Sequence, residues 1–451
     1  MSSRDQSPPE VNKKFRVAVI DDGFDTSLPV LKDKIIAKLT VKCDEKVDPA
    51  ANVKAASSTQ QDYDQIKKDL IASLQNPDPM VCQFVEMPSL VKSPAFQEIS
   101  IYREEWNSRY PKRLFEPAGP EVPQSVSSNT AASKANSEAP VIDRAKFDRI
   151  DDVLSGEGKY IYHGTNVASL IAYKNDNVEL VLIQIDLARG YEPEDGQLKC
   201  LTQSEIDRDI KLYSDPDVLR ANRESPLSPD DKVVDNLFVK YNIDFSNQSF
   251  GGPPTKIMED IYVKNGCSPI SLGNYKRVMH EFDSQREISI RERGLTKDKS
   301  LTISAFGNDA AAINTPADGE ECSKVFTINV GAIDSKDKPA VFTNTGKCSD
   351  VMAPGVGIIV SAPDNFVHAA DGTSFSSPLF VRHLTQTLKP QSNYKDLYKK
   401  LKGSNQVISS SQIPTELLDK SREQLGGLSL TDRVGLTSRP FLKHHLPSNL
   451  R

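Results

Sequence analysis

One stretch near the carboxyl end determines the fold prediction. Residues 371–381 read DGTSFSSPLFV, so Ser374 follows a glycine and a threonine and stands at the start of an apolar helical segment. The first N–H groups of a helix have no partner within the helix, which leaves the N–H of Ser374 able to bind an oxygen that gains negative charge. A serine-rich helix cap explains one serine, but not the glycine, the threonine and Pro378 around it. The stretch therefore predicts a nucleophilic serine at a helix start.

Three other segments place a polar side chain at a strand end or a helix start. Asp21 follows the apolar run 17–20, His163 precedes a glycine and a helical run, and Asn308 follows the apolar run 301–306. A carboxylate can orient an imidazole, an imidazole can move a proton, and an amide can bind an oxyanion. Taken singly, each has an ordinary structural interpretation, as a turn residue for Asp21 and Asn308 or as a hydrogen-bonded structural histidine for His163.

Taken together, these segments resemble the motifs of the subtilisin-like serine proteases, the subtilases. The order Asp, His, Ser along the chain is that of this family. Two more stretches resemble the family's strand that pairs with substrate backbone and the segment between its oxyanion asparagine and its nucleophile. The matching segments are VAVIDDG (17–23), HGTNVAS (163–169), NQSFGG (247–252), SAFGNDA (304–310), the stretch 330–358 and DGTSFSSP (371–378).

The resemblance implies a catalytic triad and a peptide substrate. Ser374 would be the nucleophile, His163 the general base and then acid, and Asp21 the residue that orients His163. Asn308 and the N–H of Ser374 would form the oxyanion hole. Two segments would flank the extended substrate as added strands, namely Ser249, Phe250 and Gly251, and Ser304, Ala305 and Phe306.

The residue on the acyl side of the cut is predicted to be uncharged. The pocket walls, residues 249–254 and 304–307, contain no acidic residue. A buried lysine or arginine side chain must be paired with an opposite charge. Asp309 follows Asn308 and could lean inward, and the ring of Phe306 would narrow the pocket. We therefore expect a preference for apolar or small side chains.

Short β-branched runs alternate with segments of helical periodicity along the chain. This alternation predicts a three-layer α/β fold with a doubly wound, mostly parallel sheet, in which ligands bind beyond the carboxyl ends of the strands. The predicted catalytic domain comprises residues 1–42 and 156–390. Asp21 and His163 lie farther apart in sequence than a compact subtilase needs, which makes 43–155 an insertion.

The insertion and the carboxyl-terminal part differ in composition from the rest. Tyr63, Ile66, Leu70, Ile71 and Leu74 fall on one helical face, so residues 58–75 are predicted to form an amphipathic helix. The tract 117–140 is rich in Pro, Ser and Ala and is predicted to be a flexible loop. Residues 391–451 are predicted to be a polar extension with a peripheral helix and a loose tail.

Charge and hydropathy exclude several kinds of partner. The 451 residues include 56 basic and 62 acidic side chains, so no basic excess is available for a nucleic acid or an anionic membrane. The first fifteen residues lack an apolar secretion segment, and the most apolar run, 178–185, is too short to cross a bilayer. We expect a cytoplasmic protein with neither partner, and the sequence leaves the oligomeric state open.

The cysteines and the loop after His163 suggest no metal or other cofactor. The six cysteines show no CxxC pair and predict free thiols in a reducing compartment. After the His163 helix the chain passes quickly through 174–177 into the next strand, where many subtilases carry a longer calcium-binding loop. The cysteines are Cys43, Cys82, Cys200, Cys267, Cys322 and Cys348.

The predicted activity is that of a serine endopeptidase that hydrolyses peptide bonds through an acyl-enzyme intermediate. Two alternatives stay open. The chain could be a catalytically silent subtilase fold that binds a protein, with the insertion as its interaction surface. It could also be a transpeptidase or macrocyclase, because hydrolysis and aminolysis share the acyl-enzyme and differ in what attacks it.

Overall fold

The structure is a computed structural model, and part of the chain is described in it. The described residues are 13–43, 60–76, 82–87, 163–185, 200–226, 229–294, 298–362, 366–391 and 393–412. The predicted flexible tract 117–140 lies outside these ranges. None of the helices in them combines the length and apolar character that crossing a membrane requires.

A nine-stranded sheet runs through the centre of the fold, in the order β11-β8-β7-β6-β5-β1-β4-β2-β3. Every neighbouring pair is parallel except β2 and β3, which are antiparallel. Strands β9 and β10 form a separate antiparallel hairpin. The strands are β1 (Phe15–Asp21), β2 (Ile35–Cys43), β3 (Cys82–Glu86), β4 (Val178–Gln184), β5 (Phe245–Gln248), β6 (Leu301–Ala305), β7 (Thr327–Ile333), β8 (Val351–Pro354), β9 (Ile358–Ala362), β10 (Phe366–Ala370) and β11 (Gln406–Val407).

Helices cover both faces of this sheet. Because successive side chains of a strand point to opposite faces, Val17 and Val19 of β1 belong to one apolar core and Ala18 to another. The predicted three-layer α/β fold is confirmed. The helices are α1 (Pro29–Lys32), α2 (Gln60–Gln75), α3 (His163–Ala172), α4 (Gln203–Tyr213), α5 (Pro216–Glu224), α6 (Pro229–Tyr241), α7 (Thr255–Lys264), α8 (Gly273–Arg293), α9 (Thr373–Thr387) and α10 (Lys395–Leu401).

The described parts of the insertion are built onto the catalytic fold. Strand β3 extends the sheet beyond β2, and helix α2 packs on α5. Lys67 of α2 forms ion pairs with Asp215 and Asp217 at the start of α5. The predicted apolar face of α2 packs against Leu212, Val218 and Phe282. The amphipathic helix is therefore present, and its apolar face helps to form a small core separate from the main one.

The carboxyl-terminal segment enters the main core, which the predicted boundary at residue 390 did not anticipate. Tyr394 is fully buried and donates a hydrogen bond from its hydroxyl to Asp244 Oδ1 at 2.7 Å. Leu401 and Ile408 belong to the same core, and β11 adds an edge strand to the sheet. These few apolar side chains are spread through a polar stretch, so the average composition conceals them. The main apolar core therefore continues to at least residue 408.

Four cysteines form disulfides, Cys200 with Cys267 and Cys322 with Cys348. The prediction of free thiols is wrong for these four residues. The partners lie 67 and 26 residues apart, and the fold brings them together. Spacing rules detect clusters of cysteines along the chain but not pairs separated in this way.

Removing the disulfide that closes the shorter loop, Cys322–Cys348, should destabilise the protein. For the Cys322→Ala/Cys348→Ala variant we expect the free energy of unfolding to fall by about 3 kcal/mol, because the cross-link restricts the unfolded chain. The Cys200→Ala/Cys267→Ala variant should lose somewhat more, since its loop is longer. Guanidinium unfolding of both variants and the parent measures the differences. A thiol titration of the denatured, unreduced parent that counts more than two thiols would contradict the pairing.

Candidate active site

The pair Asp21 and His163 is formed where the end of β1 meets the start of α3. Asp21 Oδ1 lies 2.8 Å from His163 Nδ1, and the Asp21 side chain is fully buried. The N–H of Asp22 donates to the same oxygen at 2.8 Å. An ionised carboxylate only accepts hydrogen bonds, so this contact favours the His163 tautomer that has its proton on Nδ1 and its lone pair on Nε2. This is the tautomer that a general base at Nε2 requires.

The two residues after His163 explain how α3 comes so close to β1. A Cβ atom on Gly164 would lie 2.5 Å from the carbonyl oxygen of Asp22 and 2.7 Å from the ring of Phe24, so only glycine fits. Thr165 Oγ1 donates to the carbonyl of Gly23 and accepts from the N–H of Asp25. The glycine permits the close approach and the threonine holds the loop after Asp21 in place.

Ser374 is the second residue of α9 and is almost completely buried. Its hydroxyl donates to the carbonyl of Ser249 at 3.1 Å, and the Ser249 hydroxyl donates to the carbonyl of Ser374 at 3.0 Å. Phe375 follows Ser374 in the chain, and its ring centroid lies 5.8 Å from the ring centroid of His163. Ser374 is thus placed beside the predicted substrate segment. In the structure the hydrogen bond of its hydroxyl goes to Ser249.

The Asn308 amide is oriented by the residue that precedes Ser374. Asn308 Oδ1 accepts hydrogen bonds from the N–H of Thr373 at 2.8 Å and from its hydroxyl at 3.0 Å. With the oxygen held in this way, the amide nitrogen lies 3.6 Å from where Gly372 would carry a Cβ atom. Gly372 adopts φ 150°, which favours glycine, and leaves that space open. The amide N–H groups therefore lie next to the start of α9.

Asn344 supports the Asn308 loop, a role that the sequence analysis missed. Its Oδ1 accepts from the N–H groups of Asp309 and Ala311, and its Nδ2 donates to the carbonyl of Phe306. Asn344 is itself buried. It lies within the 330–358 stretch, but nothing in the sequence pairs it with a loop so distant along the chain. The Asn344 amide and Thr373 thus hold the loop from two sides.

The predicted substrate segments differ in their availability. Ser249 follows the end of β5, and Phe250 and Gly251 are partly exposed. Ser304 and Ala305 lie inside β6, which has β5 and β7 on either side. The N–H of Phe306 donates to the carbonyl of Val330, and its ring is fully buried. The prediction that Ser304 to Phe306 adds to the substrate as a strand is wrong, because the sheet already uses this backbone.

One group of side chains in the described residues has the spacing of metal ligands. The ligand atoms of Asp21, Asp22 and His163 all lie within 4.8 Å of one another. His163 Nδ1 is occupied by its hydrogen bond to Asp21, however, and no second histidine or cysteine joins this group. The arrangement fits an oriented imidazole better than a metal centre.

Comparison with known proteins places the chain in a family. Residues 12–396 match the model of the Subtilase family, and the chain belongs to that family. A curated relative, subtilisin E from Bacillus subtilis, is 37% identical over 78 residues, which are 17% of this chain and 20% of that protein. A subtilisin from Bacillus pumilus is also 37% identical over 78 residues, 28% of its length. The chain therefore matches less than a third of either relative.

Solved structures with a related fold include the PatG macrocyclase in complex with peptide. The aligned region covers 86% of this chain and 82% of the PatG chain, with 12% sequence identity and a TM-score of 0.35. A cold adapted subtilisin-like serine proteinase covers 53% of this chain and 67% of its own at 18% identity, with a TM-score of 0.29. What the comparisons establish is membership of the Subtilase family.

Proposed function

We propose that the protein is a serine endopeptidase with Asp21, His163 and Ser374 as its triad and Asn308 as an oxyanion donor. The observation that carries this proposal is the buried 2.8 Å contact between Asp21 and His163, beside the helix start that bears Ser374. A buried carboxylate beside Nδ1 of an imidazole fixes the ring and stabilises the positive charge that the ring gains when Nε2 takes a proton. General base catalysis supplies that charge.

The chemistry follows from the placement of these groups. Ser374 Oγ attacks the peptide carbonyl while His163 Nε2 takes its proton, and Asp21 stabilises the imidazolium. The carbonyl oxygen gains negative charge and is bound by the Asn308 amide and the N–H of Ser374. The amine departs with the proton from His163 and leaves an acyl group on Ser374. Water, deprotonated by His163, then releases the acid.

The substrate is a protein or peptide bound in extended form along residues 249–251. The Ser249 hydroxyl, which also contacts Ser377, and the Asn247 amide hold this segment against α9. The segment follows the end of β5 and lies next to Ser374, so a bound chain there would present its carbonyl to the nucleophile. Only this segment, and not 304–306, serves as the strand partner.

A fluorophosphonate probe and a peptide library test the proposal together. The probe should label Ser374 in the parent and not in Ser374→Ala, and mass spectrometry of the library should find peptides cut by hydrolysis. Cyclised or spliced products would identify a transpeptidase. The absence of both labelling and products would identify a binding module and reject the peptidase.

The disulfides argue against the cytoplasmic location that the sequence led us to expect. Disulfides persist in oxidising compartments and are rare where thiols are kept reduced. The two pairs, Cys200–Cys267 and Cys322–Cys348, link segments of the catalytic fold itself. We propose that the protein folds in an oxidising environment.

Replacing Asn308 with alanine should slow catalysis without preventing binding. Loss of one of two oxyanion donors typically lowers kcat by about 10²–10³. KM should change little, because the hydrogen bond forms mainly in the transition state. Steady-state kinetics with a cleaved library peptide measures both constants. The matched control is Asn274→Ala on the exposed start of α8, and a loss confined to KM would show that Asn308 binds substrate instead.

A further inference from the structure

Two adjacent glutamates lie behind the glycines of the substrate segment. Glu320 and Glu321 open a short 3-10 helix, Glu320–Cys322. A Cβ atom on Gly251 would lie 3.2 Å from Glu321 Oε1, 3.7 Å from Glu320 Oε1 and 3.7 Å from Lys324 Nζ. One on Gly252 would lie 3.6 Å from Glu320 Oε2. The pocket wall that contains no acid in sequence is therefore backed by two carboxylates from a distant segment.

Glu320 already has a cation of its own. Lys324 Nζ lies 3.0 Å from Glu320 Oε1, and the N–H of Gly252 donates to the same oxygen at 3.3 Å. Burial by itself would raise the pKa of Glu320, but Lys324 and this N–H hold it below its usual value. Glu320 and Lys324 thus form a neutral pair at the edge of the wall, where the Glu320 side chain stays 40% exposed.

Glu321 carries the second carboxyl group of this cluster. The residue is 2% exposed, and Glu320, Glu321 and Lys324 together supply two carboxyl groups and one ammonium. Burial raises the pKa of Glu321 to about 7, and the attraction of Lys324 offsets this only in part. The neighbouring charges of Glu320 and Asp309 contribute to the same rise in pKa, and the backbone N–H of Glu321 itself opposes it. A buried carboxylate in this state is stabilised by any cation that can reach it.

The surroundings hold Glu321 in place behind Gly251. Cys322, the next residue, is linked to Cys348, and Asn329 Nδ2 donates to the carbonyls of both Glu321 and Cys348. A Cβ atom on Gly319 would lie 2.6 Å from Glu321 Oε2. Glycines at 251 and 319 therefore leave room for the carboxylate, and no side chain of Gly251 separates it from the substrate segment.

We propose that Glu321 selects a lysine or arginine side chain on the acyl side of the cleaved bond. The proposal rests on the peptidase function proposed above, because that function assigns residues 249–251 to the substrate. Lys324 remains with Glu320, so the substrate cation pairs with Glu321 across Gly251. The preference for uncharged side chains, predicted from the walls alone, is replaced by a preference for cations.

Matched peptides with arginine or citrulline on the acyl side test the selection, because citrulline has the shape of arginine without its charge. For the parent we expect kcat/KM to favour arginine by about 10²-fold, the effect typical of a buried charge pair. Glu321→Gln should bring the ratio close to one. Glu281→Gln, an exposed glutamate of α8, is the matched control and should leave it unchanged.

A binding measurement separates failure of this proposal from failure of the peptidase function. The fluorescent cation p-aminobenzamidine should bind the Ser374→Ala protein, bind about 10²-fold more weakly when Glu321→Gln is added, and be unaffected by Glu281→Gln. If Glu321→Gln does not fold, Gly251→Ala keeps the charge and should weaken the binding by crowding Glu321.

The outcomes are distinct. Efficient cleavage after citrulline or leucine, with an arginine ratio unchanged by Glu321→Gln, would overturn the selection and leave the peptidase standing. An unlabelled and inactive parent that still binds p-aminobenzamidine through Glu321 would overturn the peptidase and leave the cation site. A Ser374→Ala protein that binds the cation equally well with and without Glu321→Gln would overturn the cation site.

Discussion

Replacing Ser374 with alanine is expected to lower kcat for peptide cleavage by about 10⁶, the size known for catalytic units of this kind. Removing the hydroxyl removes the atom that carries the acyl group in the proposed mechanism. Direct attack of water on the peptide, with His163 as its base, should be far slower. The fold should persist, because the variant deletes a single oxygen whose bond is to the carbonyl of Ser249. Single-turnover assays at high enzyme concentration measure the residual rate.

The matched control for this variant is Ser289→Ala. Ser289 lies on the exposed face of α8 and donates to the carbonyl of Arg223, away from the site. The control should cleave at the parental rate, and circular dichroism should give the same spectrum for all three proteins. A Ser374→Ala protein that cleaves peptides as fast as the parent would remove Ser374 from the mechanism.

Replacing His163 with alanine should be about as severe, on the order of 10⁶ in kcat, because the triad acts as a unit. Without the imidazole, no group takes the Ser374 proton, and Asp21 is left with a buried charge and no partner on Oδ1 except the N–H of Asp22. The His163→Ala/Ser374→Ala double variant should therefore be no slower than either single variant. Rates of the three proteins on one library peptide give the comparison.

The control histidine is His280, which contacts the carbonyl of Pro316 through Nδ1 at 2.8 Å. His280→Ala should retain cleavage. If the losses from His163→Ala and Ser374→Ala multiplied in the double variant, the two residues would act independently and the triad assignment would fail.

Local patterns in the sequence were enough for the fold and for the position of each candidate catalytic group. Strands of alternating or continuous apolar character give the central sheet, and the apolar face of Tyr63 to Leu74 gives α2. Asp21, His163 and Ser374 each lie at a strand end or helix start because short-range capping and turn preferences place them there. These signals act within a few residues, so a sequence displays them directly.

Other features depend on segments that meet only in the folded chain. Asn344 braces the Asn308 loop, Glu321 backs Gly251, and Cys322 is bonded to Cys348. Each partner is set by the register and order of strands in the sheet, which no local spacing encodes. The order of strands also explains why residues 304–306 do not pair with a substrate. Strands β5 and β7 lie on either side of β6 and use the hydrogen bonds of its backbone.

The sequence by itself determined the subtilase fold, the candidate triad and the candidate oxyanion asparagine, because these depend on short motifs. The tertiary structure decided which backbone the sheet already uses, how the carboxyl-terminal segment joins the core, and which charged side chains lie behind Gly251. Burial and electrostatic interaction depend on distance through space, and a wall made of glycines takes its charge from whatever packs behind it.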